Sequence, residues 1–341
     1  MERIIVLGGK GGVGKSSISA ATAVLLSDLL PNKKILLISF DMAHNLSDLF
    51  KMNIGNKISP VTKNLWVIEP DADSYAKKYT KTLIEKMKSL TKQMPLVGMI
   101  PQIEKFIDTT FTTDSIPLAL KNAMFFQKVL DAEDPDSQNI QFDIIVADFP
   151  PTANMITLFE IPEDQVKVVL KYSLNFYNSI KGAIRNISKM WRNIIKPFDN
   201  YEERRELGKE IFNMIVELEK RGERISELIH GIGSLRLVTI AEKPSFEEIK
   251  RARDLTKRYI KLDGVHINMI VPKPKRCEFC DKIHSLQLHY VSEIKKEFKK
   301  LKIWQSEKLK EEPIGLDGLR TLAREVYGES ISADAILNPK L

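Results

Sequence analysis

The chain has 341 residues, 43% hydrophobic and 28% charged, with a formal net charge of +7. That balance excludes a disordered chain and fits a soluble globular protein, with room for one large α/β domain carrying an insert or for two domains. Two cysteines exclude a disulfide framework. No stretch approaches the ~18 consecutive apolar residues of a bilayer span. The lysines are spread along amphipathic segments rather than gathered into a tail, so no nucleic-acid partner is expected. The chain enters its first apolar run almost at once, so no signal peptide is expected and the protein reads as cytoplasmic.

Arg3 to Leu7 is a short β-branched apolar run, the mark of a buried strand. It breaks into Gly8-Gly9-Lys10-Gly11-Gly12-Val13-Gly14-Lys15-Ser16-Ser17, and Ile18 to Leu30 then continues with helical character. Gly9-x-x-x-x-Gly14-Lys15-Ser16 satisfies the P-loop pattern in its strand–loop–helix setting. Glycines let the backbone curl so that successive N–H groups face phosphate oxygens, and the helix N-terminus adds its positive dipole end. Lys15 is expected to reach the β- and γ-phosphates, and the Ser16 hydroxyl to ligate Mg²⁺.

Lys34 to Phe40 reads as a second buried strand, closed by Asp41-Met42-Ala43-His44-Asn45-Leu46-Ser47-Asp48. Loops at the C-terminal edge of a parallel sheet meet ligands, so Asp41 is placed to orient an attacking water and take its proton. Leu65 to Glu69 reads as a third strand, and from Tyr75 to about Leu130 the pattern turns helical, with methionines and phenylalanines throughout. Phe142 to Ala147 is a central strand ending in Asp148, the form of a Walker-B element whose carboxylate holds Mg²⁺ through water. Pro150 and Pro151 then suit a stiff loop that senses the γ-phosphate.

A second, basic helical block spans about Val166 to His230. Leu235 to Ile240 and Val265 to Val271 read as strands, separated by a helix from about Phe246 to Leu262. A charged helix follows Cys277-Glu278-Phe279-Cys280 to about Lys300, then a short segment at Leu301 to Trp304 and a helix from about Leu316 to Tyr327. The last residues read as frayed. Strands alternating with helices give an α/β fold, a doubly wound and mostly parallel sheet of P-loop NTPase type with an inserted helical subdomain. The core is expected at 1–74, 136–165 and 231–341, and the helical subdomain at about 75–135 and 166–230. Cys277 and Cys280 alone leave a reduced pair, a redox pair and half a metal site all open.

These motifs together resemble the ArsA ATPase family, and within it the single-domain homologues that target tail-anchored membrane proteins. The resemblance covers nearly the whole chain. Lys10-Gly11-Gly12-Val13-Gly14-Lys15-Ser16-Ser17 is similar to the deviant P-loop, in which the early lysine reaches across a dimer to the partner's nucleotide. Asp41-Met-Ala-His-Asn-Leu-Ser-Asp48 resembles the family's switch I, with Met42 in place of proline, and implies a catalytic Asp41. Asp148-Phe-Pro-Pro-Thr152 resembles its switch II, Asp-Thr-Ala-Pro-Thr. The resemblance further implies Glu242 as a nucleotide contact, Asn268 as an adenine-side contact, and Cys277 and Cys280 as halves of a structural Zn²⁺ site shared between two subunits. It also implies ATP and Mg²⁺, a homodimer, a hydrophobic client helix held by Met- and Phe-bearing helices, and a membrane receptor met transiently.

The switch II match stops at Thr152. Ala153-Asn154-Met155-Ile156-Thr157 departs from the family's Gly-His-Thr-Leu-Arg. A partitioning-class ATPase acting on membrane or DNA surfaces shares the P-loop and stands as the alternative.

Overall fold

The computed structural model describes residues 1–40, 45–71, 141–151, 226–273 and 277–340, with isolated helical positions between them. It divides into two compact units, one of Met1–Asp71, Asp131–Phe159 and Ser226–Leu341, the other of Ala72–Leu130 and Glu160–Ile225. The second unit lies almost wholly outside the described residues, and the expected client groove lies there with it.

The first unit is built on an eight-stranded sheet: β1 (Arg3–Gly9), β2 (Ile35–Ser39), β3 (Ser59–Pro60), β4 (Leu65–Ile68), β5 (Ile144–Asp148), β6 (Gly233–Ile240), β7 (Leu262–Ile270) and β8 (Lys302–Glu307). Their spatial order is β3-β4-β2-β5-β1-β6-β7-β8. All neighbouring pairs are parallel except β3 with β4. The fold is therefore α/β with a mostly parallel sheet, as expected.

The central strands are buried along their whole length, which explains their unbroken Ile, Leu and Val runs. Helices pack on them: α1 (Lys15–Leu29), α2 (Asn45–Phe50), α3 (Lys243–Thr256), α4 (Glu278–Glu297), α5 (Gly315–Tyr327) and α6 (Ala333–Leu337). α1 contributes Ile18, Ala20, Ala21, Ala23, Val24 and Leu26 to a core shared with β1, β2, β5 and α5. Its small residues let the helix sit close to the sheet, and so set the height of its N-terminus above the strand ends.

The segment at Leu301 to Trp304 belongs to a true edge strand, β8, with Trp304 and Ser306 turned into the core. The C-terminal residues are not frayed. Ser332 caps α6 by accepting from the Ala335 N–H at 3.2 Å, and Ile336 is fully buried. Arg236, itself fully buried on β6, donates from Nη2 to the Ile336 carbonyl. Its guanidinium lies over the Trp304 ring, 5.1 Å from the centroid. Burial pushes the Arg236 pKa down. His266 stacks against Trp304 as well, with centroids 4.5 Å apart and planes at 13°. Burial, reinforced by Arg236, holds the His266 pKa well below its ordinary value.

Candidate nucleotide-binding site

Every described residue expected to touch nucleotide lies at or beyond the C-terminal end of a strand. β1 feeds the loop Lys10–Gly14, and its neighbours on either side are β5 and β6. Because β1 connects onward to β2, beyond β5, while β6 and β7 lie on the other flank, the loop occupies the point where the strand order reverses.

The loop backbone is left-handed at Gly12, φ 80°, and at Gly14, φ 86°. A Cβ on Gly14 would stand 2.3 Å from Asn268 Nδ2, so only glycine fits there. A Cβ on Gly12 would meet nothing within 4 Å, because the loop opens there onto free space. Gly14 is the N-cap of α1 and has no side chain to cap it, and the first turn holds no acidic residue. The first N–H groups of α1 are therefore left for an external anion.

Lys15 is 4% exposed, and among the described residues its Nζ has one hydrogen bond, to the Lys10 carbonyl at 3.2 Å. The ammonium is thus folded over the loop. Ser16, 9% exposed, follows it, and Lys10 itself is exposed. Loop, bare helix end and ammonium together fit a chain of phosphates.

Asp148 ends β5, opposite Leu7 of β1 and Ser39 of β2. It is fully buried, and Ser39 Oγ donates to its Oδ2 at 2.9 Å. Its carboxylate and the Ser16 hydroxyl are the hard oxygen donors that Mg²⁺ prefers.

Asn268 at the end of β7 is 4% exposed. Its Nδ2 donates to the Val13 carbonyl at 3.0 Å, and its Oδ1 accepts from Ser306 Oγ at 2.8 Å. The structure therefore uses this amide as a strut under the phosphate loop. The base contact implied by the resemblance competes for the same group. Glu242 is exposed at the N-cap of α3, just past β6, and its side chain makes no capping bond. Asp41 to His44 and Thr152 lie outside the described residues.

Two supports were not read from the sequence. Glu69 is 2% exposed; its Oε1 accepts from the Leu46 N–H at 2.7 Å and its Oε2 from Ser47 Oγ at 3.3 Å. It thereby anchors the start of α2, the element that follows Asp41. Met155 is fully buried, and its sulfur would lie 2.4 Å from a Cβ on Gly8, so it packs beneath the phosphate loop. An acidic residue closing a strand gives no signal of the helix end it meets 23 residues away in the chain.

Among the described residues the cysteines form no closed metal site within one chain. Cys277 is the N-cap of α4, and its Sγ accepts from the Cys280 N–H at 3.3 Å. Both thiols are free. The Cys280 thiol, then its N–H, draws the Cys277 pKa down, while the same contact raises that of Cys280. Among the described residues no group of three or more His, Cys, Asp or Glu side chains could hold a metal ion.

A phosphate loop of this form at the reversal point of a mostly parallel sheet defines a P-loop nucleoside triphosphatase. Within that class, residues 2–328 match the model of the ArsA anion-transporting ATPases, and the chain belongs to that family. It is 27% identical over 336 residues to a putative arsenical pump-driving ATPase of Prosthecochloris vibrioformis, covering 97% of this chain and 77% of the relative. A protein of Aquifex aeolicus named putative arsenical pump-driving ATPase 2 is 27% identical over 331 residues, 94% of this chain and 98% of its own length. The ATPase GET3 of Debaryomyces hansenii is 34% identical over 177 residues, 49% of this chain and 48% of its own.

Proposed function

We propose that this protein is a Mg²⁺-dependent ATPase that works as a homodimer closed by ATP, capturing and releasing the hydrophobic helix of tail-anchored membrane proteins. The observation that carries the ATPase reading is the bare N-terminus of α1 with Lys15 folded over the loop that precedes it. The loop and first-turn N–H groups bind the phosphates, and Lys15 spreads its charge over the β- and γ-oxygens. Ser16 and, through water, Asp148 hold the Mg²⁺, which neutralises charge on those oxygens. Asp41 orients the attacking water and takes its proton. Lys10, exposed on one subunit, completes the partner's site on closure. Glu242 lies on the nucleoside side, and Asn268 braces the phosphate loop from beneath.

A dimer is supported by α4. Phe279 and Leu286 stand seven positions apart, on one helix face beside Cys280, and are 72% and 55% exposed. A second copy would cover them and bring two cysteine pairs together, so that four thiolates enclose one structural Zn²⁺. The helical segments at about 75–135 and 166–230 supply the client groove, and the working site is the cytoplasm with transient contact to a membrane receptor. No described helix is long and apolar enough to cross a membrane. Several relatives carry an arsenical-pump name.

Co-expression with a tail-anchored protein tests the proposal. The pair is expected to co-purify with Mg²⁺ and a non-hydrolysable ATP analogue, as a dimer holding one zinc per two chains. A monomer that hydrolyses ATP and retains no client contradicts it.

A further inference from the structure

Both strands that carry the expected carboxylates abut a phenylalanine. Phe40 follows β2 and directly precedes Asp41 in the chain; Phe149 directly follows Asp148. The two rings meet edge to face, centroids 5.5 Å apart and planes at 89°. Phe40 is 3% exposed and Phe149 fully buried. The backbone ties the same residues together. The Phe40 N–H donates to the Asp148 carbonyl at 2.9 Å, and the Phe149 N–H to the Leu7 carbonyl at 3.0 Å.

The aromatic contacts continue past this pair. Phe149 packs on Phe159 at 5.5 Å, and Phe159 stacks on Tyr259, beyond the end of α3, at 6.1 Å with planes at 13°. Phe159 is the last residue of the first compact unit before the chain passes into the second. Phe149 also stands where the resembled switch II pattern has threonine, so a ring that can only pack replaces a hydroxyl.

We infer that Phe40 and Phe149 are positioning residues of ATP hydrolysis: their edge-to-face contact fixes the strand ends bearing Asp41 and Asp148 relative to each other, and Phe159 extends that contact to the exit from the ATPase unit. Edge-to-face rings hold a preferred geometry that an aliphatic side chain does not reproduce. Reacting groups must be held to about 0.5 Å, and a misplacement of about 1 Å costs on the order of a hundredfold in rate. Lys15 and the loop N–H groups are not part of the contact, so ground-state binding of ATP is spared. The inference rests on the role proposed for Asp41.

The test is a double-mutant cycle with Phe40→Leu and Phe149→Leu, reading kcat, KM for Mg·ATP and melting temperature. Each single variant is expected to lower kcat about tenfold, on the same positional argument, with KM within about twofold. The double variant should be no slower than either single one, because the pair is lost once. A fall in melting temperature with unchanged kcat overturns the inference, as does a double variant whose loss is the product of the two. Phe40→Met, which keeps volume without the ring, carries the same expectation if a leucine variant does not fold. Asp41→Asn separates the levels. Full turnover there overturns the role of Asp41, whereas slow Asp41→Asn beside fully active ring variants overturns the pairing alone.

Discussion

Replacing Asn268 by alanine isolates the strut under the phosphate loop. Two buried hydrogen bonds disappear, from Nδ2 to the Val13 carbonyl at 3.0 Å and from Ser306 Oγ to Oδ1 at 2.8 Å. Each is worth about 0.5–1.5 kcal/mol net, and a partner left dry adds about 1–3 kcal/mol. Ser306 is 3% exposed and loses its acceptor. The stability loss should be about 2–6 kcal/mol. If holding the loop accounts for about 1 kcal/mol of binding, affinity falls about fivefold.

Calorimetric titration with ATP and with GTP, beside thermal unfolding, distinguishes the possibilities. A loop strut weakens both nucleotides alike. Asn268→Asp should be at least as damaging, since it sets an acceptor against the Val13 carbonyl. A loss confined to ATP, or unchanged affinity for both in a folded variant, refutes the strut.

His266 gives a pH prediction. Its pKa in the folded protein is held down by burial and by Arg236, while the unfolded chain titrates near the ordinary value of about 6.5. Above that pH both states are neutral at this position and its full contribution is present. Below it the unfolded state takes up a proton that the native state refuses, so stability falls by up to about 1.4 kcal/mol per pH unit. His266→Phe should flatten the dependence of unfolding midpoint on pH between 6.5 and 5, and an unchanged slope contradicts the assignment. Truncation before Ser332 removes the carbonyl that takes Arg236 Nη2 and the buried Ile336. A hydrogen bond from a charged donor at about 1.5–3 kcal/mol and an isoleucine at about 1.5–3 kcal/mol together predict a loss of about 3–6 kcal/mol, read by denaturant unfolding.

What the sequence displays best is what local chemistry alone determines. β1, β2 and β5 are buried on both faces, so apolar runs mark them without reference to anything distant. The phosphate loop needs glycines and a lysine at fixed spacing, and the chain shows them. Features that depend on remote partners are invisible. α6 is held by an arginine 100 residues earlier, and nothing in the short run Ala333–Leu337 signals that partner. In β8 buried Trp304 and Ser306 alternate with exposed Gln305 and Glu307, the mark of an edge strand rather than a central one. Asn268 announces itself as polar at a strand end, yet its partner Val13 lies 255 residues away in the chain. Glu69 is hidden for the same reason.

The most direct test of the whole account is Mg²⁺-dependent ATP hydrolysis by the intact protein beside Lys15→Ala, with melting temperatures measured on the same preparations. Hydrolysis that needs Mg²⁺ is expected in the parent protein, with loss of both nucleotide binding and turnover in the variant. Equal turnover by a folded Lys15→Ala protein would contradict it, because the ammonium over the phosphate loop would then have no part in the chemistry.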